Sequence, residues 1–126
     1  MRHALVYQDS LAFQLLLATR LEFTGYSVTV VETGDDALMT LRSSLHPVVA
    51  LVSQRHHSPP SEGEFFEVLR SHPDLYGQHR FIMIQMWSLT AEEREMMRDL
   101  GVVTLQMPFA VADLLSVVAH MFALLP

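Results

Sequence analysis

Few side chains in this sequence could do chemistry, and most of them stand just after short apolar runs. Asp9 follows residues 3–7 and could hold a metal ion as a lone carboxylate. Its position and the helix dipole favour a plainer role, capping the helix that follows. Ser53 closes the run PVVALVS. A serine becomes a nucleophile only beside an activating base, and none neighbours it. His56 and His57 follow Arg55 in a polar loop and could take a metal or an anion, or titrate near neutral pH. Adjacent loop histidines often point apart, and no carboxylate of matching spacing is nearby, so a solvated loop is the simpler reading. Trp87 could cap a cleft or anchor a partner, or sit as a half-buried loop aromatic.

Composition removes whole classes of chemistry. There is no cysteine among the 126 residues, which excludes disulfides, thiolate nucleophiles and cysteine-based zinc sites. There is no lysine either, so neither a Schiff base nor a lysine base can form, and no ammonium can clamp a phosphoryl group. A net charge of −6 with scattered arginines gives no basic face for nucleic acid. The N-terminus has no signal-peptide core. The longest apolar stretch, residues 11–23, is broken by Gln14, Arg20 and Glu22 and is shorter than the ~20 residues of a membrane span. The reading is cytoplasmic, with no membrane partner.

Regular punctuation places the elements. Residues 3–7 read as a strand, with Asp9 or Ser10 capping a helix that ends at Gly25. Residues 27–31 are β-branched and strand-like. Thr33 and Asp36 have capping-box spacing and open a helix to about Ser44. From Pro47 an unbroken apolar run reads as a strand buried on both faces. Ser61 and Glu64 again suit a capping box, for a helix to about Ser71. Residues 81–86 form a fourth strand, and Thr90 with Glu93 opens a helix to Gly101. Residues 102–105 form a fifth strand, and the last helix runs from about Val111 to Leu124.

Five alternations with short connections predict an α/β fold. It is a five-stranded parallel sheet with helices on both faces, in one domain over residues 1–126. Ligands in such folds bind beyond the carboxyl ends of the strands. The positions to inspect are therefore Gln8-Asp9-Ser10, Glu32-Thr33, Ser53-Gln54, Gln85-Met86-Trp87 and Gln106-Met107-Pro108.

These positions resemble the receiver domain of bacterial response regulators (CheY-like), over essentially the whole chain. ALVYQDS resembles its first strand and acidic pair, and PVVALVS the strand ending at the phosphoacceptor. Glu62-Gly63-Glu64-Phe65 resembles the start of the third helix. Leu100-Gly101-Val102 and Met107-Pro108-Phe109 resemble the Gly-Ala turn and the Lys-Pro-Phe motif. The resemblance implies a (βα)5 flavodoxin-like fold and aspartyl phosphorylation assisted by magnesium. Carried over residue by residue, the chemistry is degenerate. Gln8 and Asp9 stand for the acidic pair, Ser53 for the acceptor aspartate and Gln85 for the hydroxyl switch. Met107 stands for the lysine, and Thr104 for the aromatic switch residue. One carboxylate, an amide and a hydroxyl make a poor magnesium site.

The expectation is thus a pseudo-receiver that is not an enzyme and has no metal or cofactor. It acts by contact with a signalling partner or a second copy. The resemblance implies a contact face made by the helix after Thr90, the fifth strand and the last helix. On the last helix Asp113, Ser116 and His120 form a polar stripe. Val111, Leu115, Val118 and Phe122 are expected to face the sheet, with Val117, Met121 and Leu124 flanking it as interface candidates beside Trp87. Mixed charges after Thr90 should form a solvated face. Two alternatives stand: a phosphorelay receiver with an unusual acceptor, and a small-molecule sensor using the neutral cleft of Gln8, Ser53, Gln85, Trp87 and Met107.

Overall fold

A computed structural model describes residues 2–54 and 60–126, with nothing stated for the side chains of residues 60–64. The strands are β1 (His3–Tyr7), β2 (Ser27–Val31), β3 (Val48–Ser53), β4 (Arg80–Gln85) and β5 (Val103–Gln106). The helices are α1 (Leu11–Phe23), α2 (Gly34–Ser43), α3 (Pro60–Arg70), α4 (Pro73–Gln78), α5 (Ala91–Asp99) and α6 (Val111–Ala123). All strands pair in parallel in the order β2-β1-β3-β4-β5. This is the doubly wound, flavodoxin-like order.

The apolar run of β3 becomes the central strand, buried along its whole length. Side chains alternate across the sheet and build two cores. One contains Leu5, Tyr7, Ala50, Val52, Phe81 and Met83 under α2, α3 and α5. Its aromatic centre is Phe65, edge-on to Tyr7 at 5.5 Å and to Phe81 at 6.3 Å between ring centroids. The other contains Ala4, Val6, Val49, Leu51, Ile82 and Ile84 under α1 and α6. At its edge Tyr26 stacks on Phe122 at 4.8 Å, with the Arg2 guanidinium 5.6 Å from the same ring.

Local chemistry sets the helix ends. The Thr90–Glu93 capping box forms in both directions, at 3.1 and 2.8 Å. Thr33 caps α2 by accepting from the Asp36 N–H at 3.1 Å. Gly101 takes a left-handed φ of 70° just after α5, where a side chain would be strained.

Several expectations are corrected. Ser10, not Asp9, is the N-cap of α1, because its hydroxyl accepts from the Phe13 N–H while Asp9 lies one residue outside the cap. Between α3 and β4 a short helix, α4, starts with Pro73 at its first turn; proline ends one helix there and opens another. The backbone of α3 starts at Pro60, one residue before Ser61, and the Ser61–Glu64 capping box lies outside the described side chains. So do His56 and His57, which lie outside the described residues altogether. On α6 the stripe facing the sheet is Leu114, Val118, Met121 and Phe122. Met121 is 1 % exposed and packs in the core with Leu114 and Val118, so it is no interface residue. Val111 and Leu115 are only half-buried. The polar stripe of Asp113, Ser116 and His120 is exposed as expected.

Candidate functional site

The carboxyl ends of β1, β3 and β5 are prolonged by one backbone bond each. The Gln8 N–H donates to Val31 O at 3.1 Å, Gln54 N–H to Ile84 O at 3.0 Å and Met107 N–H to Gln85 O at 2.8 Å. The residues just past these strands are therefore held as firmly as strand residues. Side-chain parity puts Gln8 and Ser53 on the α1/α6 side of the sheet, and Gln85 on the α5 side.

At the end of β1, Gln8 is buried, and its Oε1 accepts from the Asp9 N–H at 2.8 Å and the Ser10 N–H at 3.0 Å. The amide oxygen is turned into its own loop. Gln14 of α1 is also buried; its Nε2 donates to Gln8 O and makes a longer contact of 3.5 Å with Glu32 Oε1 at the end of β2. Gln8, Gln14 and Glu32 thus link β1, α1 and β2, with neutral amides at the centre of the link.

The end of β3 is closed in a similar way. Gln54 is buried, and its Oε1 accepts from the Met86 N–H at 2.6 Å and the Trp87 N–H at 3.0 Å. One side chain thereby pins the loop after β4, including Trp87, whose ring is partly exposed. Beside it Ser53 is 5 % exposed. Among the described residues, Ser53 Oγ and Gln54 Nε2 are buried with no hydrogen-bond partner.

Gln85 and Thr104 diverge from this cluster. Gln85 and Thr104 line a groove of about 450 Å³ with Ser88, Leu89, Arg94, Met97, Arg98 and Val102, between α5 and β5. Its lining does not include Gln8, Ser53 or Met107. Met107 is half-buried against the α1/α6 core. The structure therefore brings Gln8, Ser53 and Met107 to one side of the sheet, and sets Gln85 and Thr104 on the other.

The donor set does not suit magnesium. Gln8 Oε1 is committed to two backbone N–H groups, Ser53 offers a neutral hydroxyl, and only Asp9 brings a carboxylate at the end of β1. Among the described residues no three His, Asp or Glu side chains are grouped to hold a metal. No described helix is long and apolar enough to cross a membrane.

Two residues that matter, Gln14 and His79, carry no clear signal in the sequence, and Gln54 is marked only by its place after the third strand. Gln14 is there only an isolated amide within an apolar run. His79 is fully buried at the opposite end of the sheet. Its Nδ1 accepts from the Val48 N–H at 2.9 Å, and its Nε2 faces Leu41 O at 3.1 Å. Accepting at Nδ1 requires the Nε2–H tautomer, which donates to Leu41 O. Burial pushes its pKa below the ordinary value, and the bond to Leu41 partly opposes this.

No protein-family model matches the sequence, and neither does any curated protein. Solved structures do match. A CheY-like response regulator receiver domain protein from Methanospirillum hungatei JF-1 superposes with a TM-score of 0.78 at 20 % identity, over 95 % of this chain and 92 % of that one. Chemotaxis protein CheY4 of Vibrio cholerae gives 0.77 at 20 % identity, over 96 % and 98 %. The receiver domain of the Francisella response regulator 1452 gives 0.77 at 19 % identity, over 98 % of both chains. The expected fold is borne out: this chain has the CheY-like receiver fold.

Proposed function

We propose that residues 1–126 form one receiver-fold signalling domain that works through protein contact and carries no aspartyl phosphate. The receiver names of the structural neighbours support a place in two-component-type signalling. The observation that carries the rest is Ser53. At the end of β3, where the receiver pattern has its acceptor aspartate, stands a buried serine with an unpartnered hydroxyl among the described residues. No lysine exists anywhere to neutralise an incoming phosphoryl group.

A serine ester also lacks the lability of an acyl phosphate. Output then comes from surfaces. On the face of α5, β5 and α6, Thr104 and Leu124 are exposed and Val117 is half-buried, which suits a protein partner. Trp87 adds a partly exposed aromatic near the strand ends.

Incubation with acetyl phosphate and magnesium, followed by intact-mass measurement, tests this reading. The expected spectrum shows unmodified protein. A stoichiometric phosphate adduct labile at alkaline pH would overturn it.

A further inference from the structure

We infer that the outer face of α1 is a self-association surface, on which a second copy of this chain docks its own α1 in antiparallel orientation. Ser53 lies on β3 and not on this face, so the contact does not depend on phosphorylation at the strand ends. Helix α1 turns Gln14, Leu17, Ala18 and Leu21 inward. It turns Leu11, Ala12, Leu15, Leu16, Thr19, Arg20, Glu22 and Phe23 outward, with the polar members Thr19, Arg20 and Glu22 confined to its C-terminal half. The large apolar ones are well exposed: Leu11 67 %, Leu15 59 %, Leu16 46 % and Phe23 92 %. A helix that buries Leu17, Ala18 and Leu21 and also presents leucines and a phenylalanine to water lacks the polar outer face of the usual amphipathic pattern. The exposed apolar surface of this face is on the order of 500 Å², the size of the largest patch on a typical monomer, where such patches are often functional.

The pattern of this face names its occupant. Leu11, Leu15, Thr19 and Phe23 recur every four residues, so the stripe is symmetric about Leu17. Under a two-fold axis there, Leu11 meets Phe23 of the other copy, and Leu15 meets Thr19. Threonine is smaller than leucine and presents a methyl group, so it leaves room for the leucine while its hydroxyl can stay at the wet edge of the contact. This is the isologous matching expected of a symmetric dimer.

Charge selects the orientation. Arg20 and Glu22 are the only charged residues of α1, and both lie near its C-terminal end. Parallel helices would set Arg20 against Arg20 and Glu22 against Glu22. Antiparallel helices set Glu22 opposite Ala12 of the other copy, beside a first turn that carries no acidic residue of its own. Complete burial of two such patches would remove about 1,000 Å², which fits a weak, reversible dimer rather than a permanent one. A net charge of −6 and a single arginine on the helix argue against an anionic membrane as the occupant.

Sedimentation velocity over a concentration series tests the proposal on the full chain. A reversible dimer is expected, with a dissociation constant on the order of 10 µM. Leu15→Glu or Phe23→Ser should weaken it roughly a hundredfold while leaving far-UV circular dichroism and Tm near the parent values. Val117→Glu on α6 and Leu124→Glu at its C-cap should leave it intact. Because the chain has no cysteine, orientation is read directly: Ala12→Cys mixed with Glu22→Cys should give a disulfide-linked pair on mild oxidation, and neither should link to itself.

If Leu15→Glu fails to fold, Phe23→Ser and the cysteine pair still decide. A wild-type chain that stays monomeric throughout overturns the proposal. So does a dimer lost only on changing Val117 or Leu124, cross-linking of Ala12→Cys to itself, or a monomer that co-sediments with anionic phospholipid vesicles.

Discussion

At the residue scale, the end of β3 sets an orphaned hydroxyl beside an amide oxygen that holds a loop. Ser53 Oγ and Gln54 Nε2 are buried without partners among the described residues, and an orphaned buried polar group costs about 1–3 kcal/mol. Ser53→Ala removes that cost along with the hydroxyl. It should be neutral or stabilising by about 1 kcal/mol, read as an unchanged or raised Tm. Ser53→Asp restores the receiver-type side chain but buries a carboxylate with no lysine to meet it. It should destabilise by about 2 kcal/mol or more, and still give no acetyl-phosphate adduct. Gln54 Oε1 holds two N–H groups of the next loop, so Gln54→Ala should cost about 2 kcal/mol and loosen the backbone at Trp87. Trp87 is the only tryptophan, so red-shifted emission and lower anisotropy report that loosening directly. The sequence was enough to place Ser53, Gln8, Gln85 and Met107 after their strands. It did not show where the amides point, because that depends on neighbours brought close by the sheet: Gln54 finds its partners 32 and 33 residues away.

At the element scale, legibility followed chemistry that is local in the chain. The reciprocal contacts of Thr90 and Glu93 span three residues, and the predicted capping box forms. Thr90→Ala should therefore destabilise the protein by about 1 kcal/mol in chemical denaturation, and Glu93→Ala by somewhat less. The five strands lie within about a residue of their expected bounds, because apolar runs between turn residues mark strands buried on both faces. Faces of helices were harder. Helix α6 is apolar over most of its circumference, and choosing Leu115 where Leu114 is buried wrongly moved Met121 outward. Helix α1 carries apolar residues on nearly every side, so its sequence alone could not say that Gln14 turns inward and Phe23 outward. The short helix α4 has no separate signal in the sequence, because Pro73 reads equally as a stop and as a first-turn residue.

At the scale of the whole molecule, the end of the sheet remote from the candidate site depends on one imidazole. His79 joins the C-terminal part of α2, through Leu41 O, to the first residue of β3, through the Val48 N–H, from its place between α4 and β4. Protonation at Nδ1 would set an N–H against the Val48 N–H and place a charge in the core. Burial accordingly holds the His79 pKa below the ordinary value of about 6.5. Above that value both folded and unfolded states carry a neutral ring, and the full stability is present. As pH falls below about 6.5 the unfolded chain takes the proton first. Stability then declines by at most about 1.4 kcal/mol per pH unit from this group, until the lowered folded-state pKa is passed. Urea denaturation between pH 8 and pH 5 should show this decline, with its onset near 6.5 rather than in the carboxylate range. His79→Leu leaves the Val48 N–H and Leu41 C=O buried without this partner, so it should cost roughly 2 kcal/mol or more at about pH 8. It should also flatten the profile between about pH 6.5 and 5. A wild-type profile already flat there would show that the buried ring does not couple protons to folding. A slope that survives in His79→Leu would assign the proton uptake to other groups.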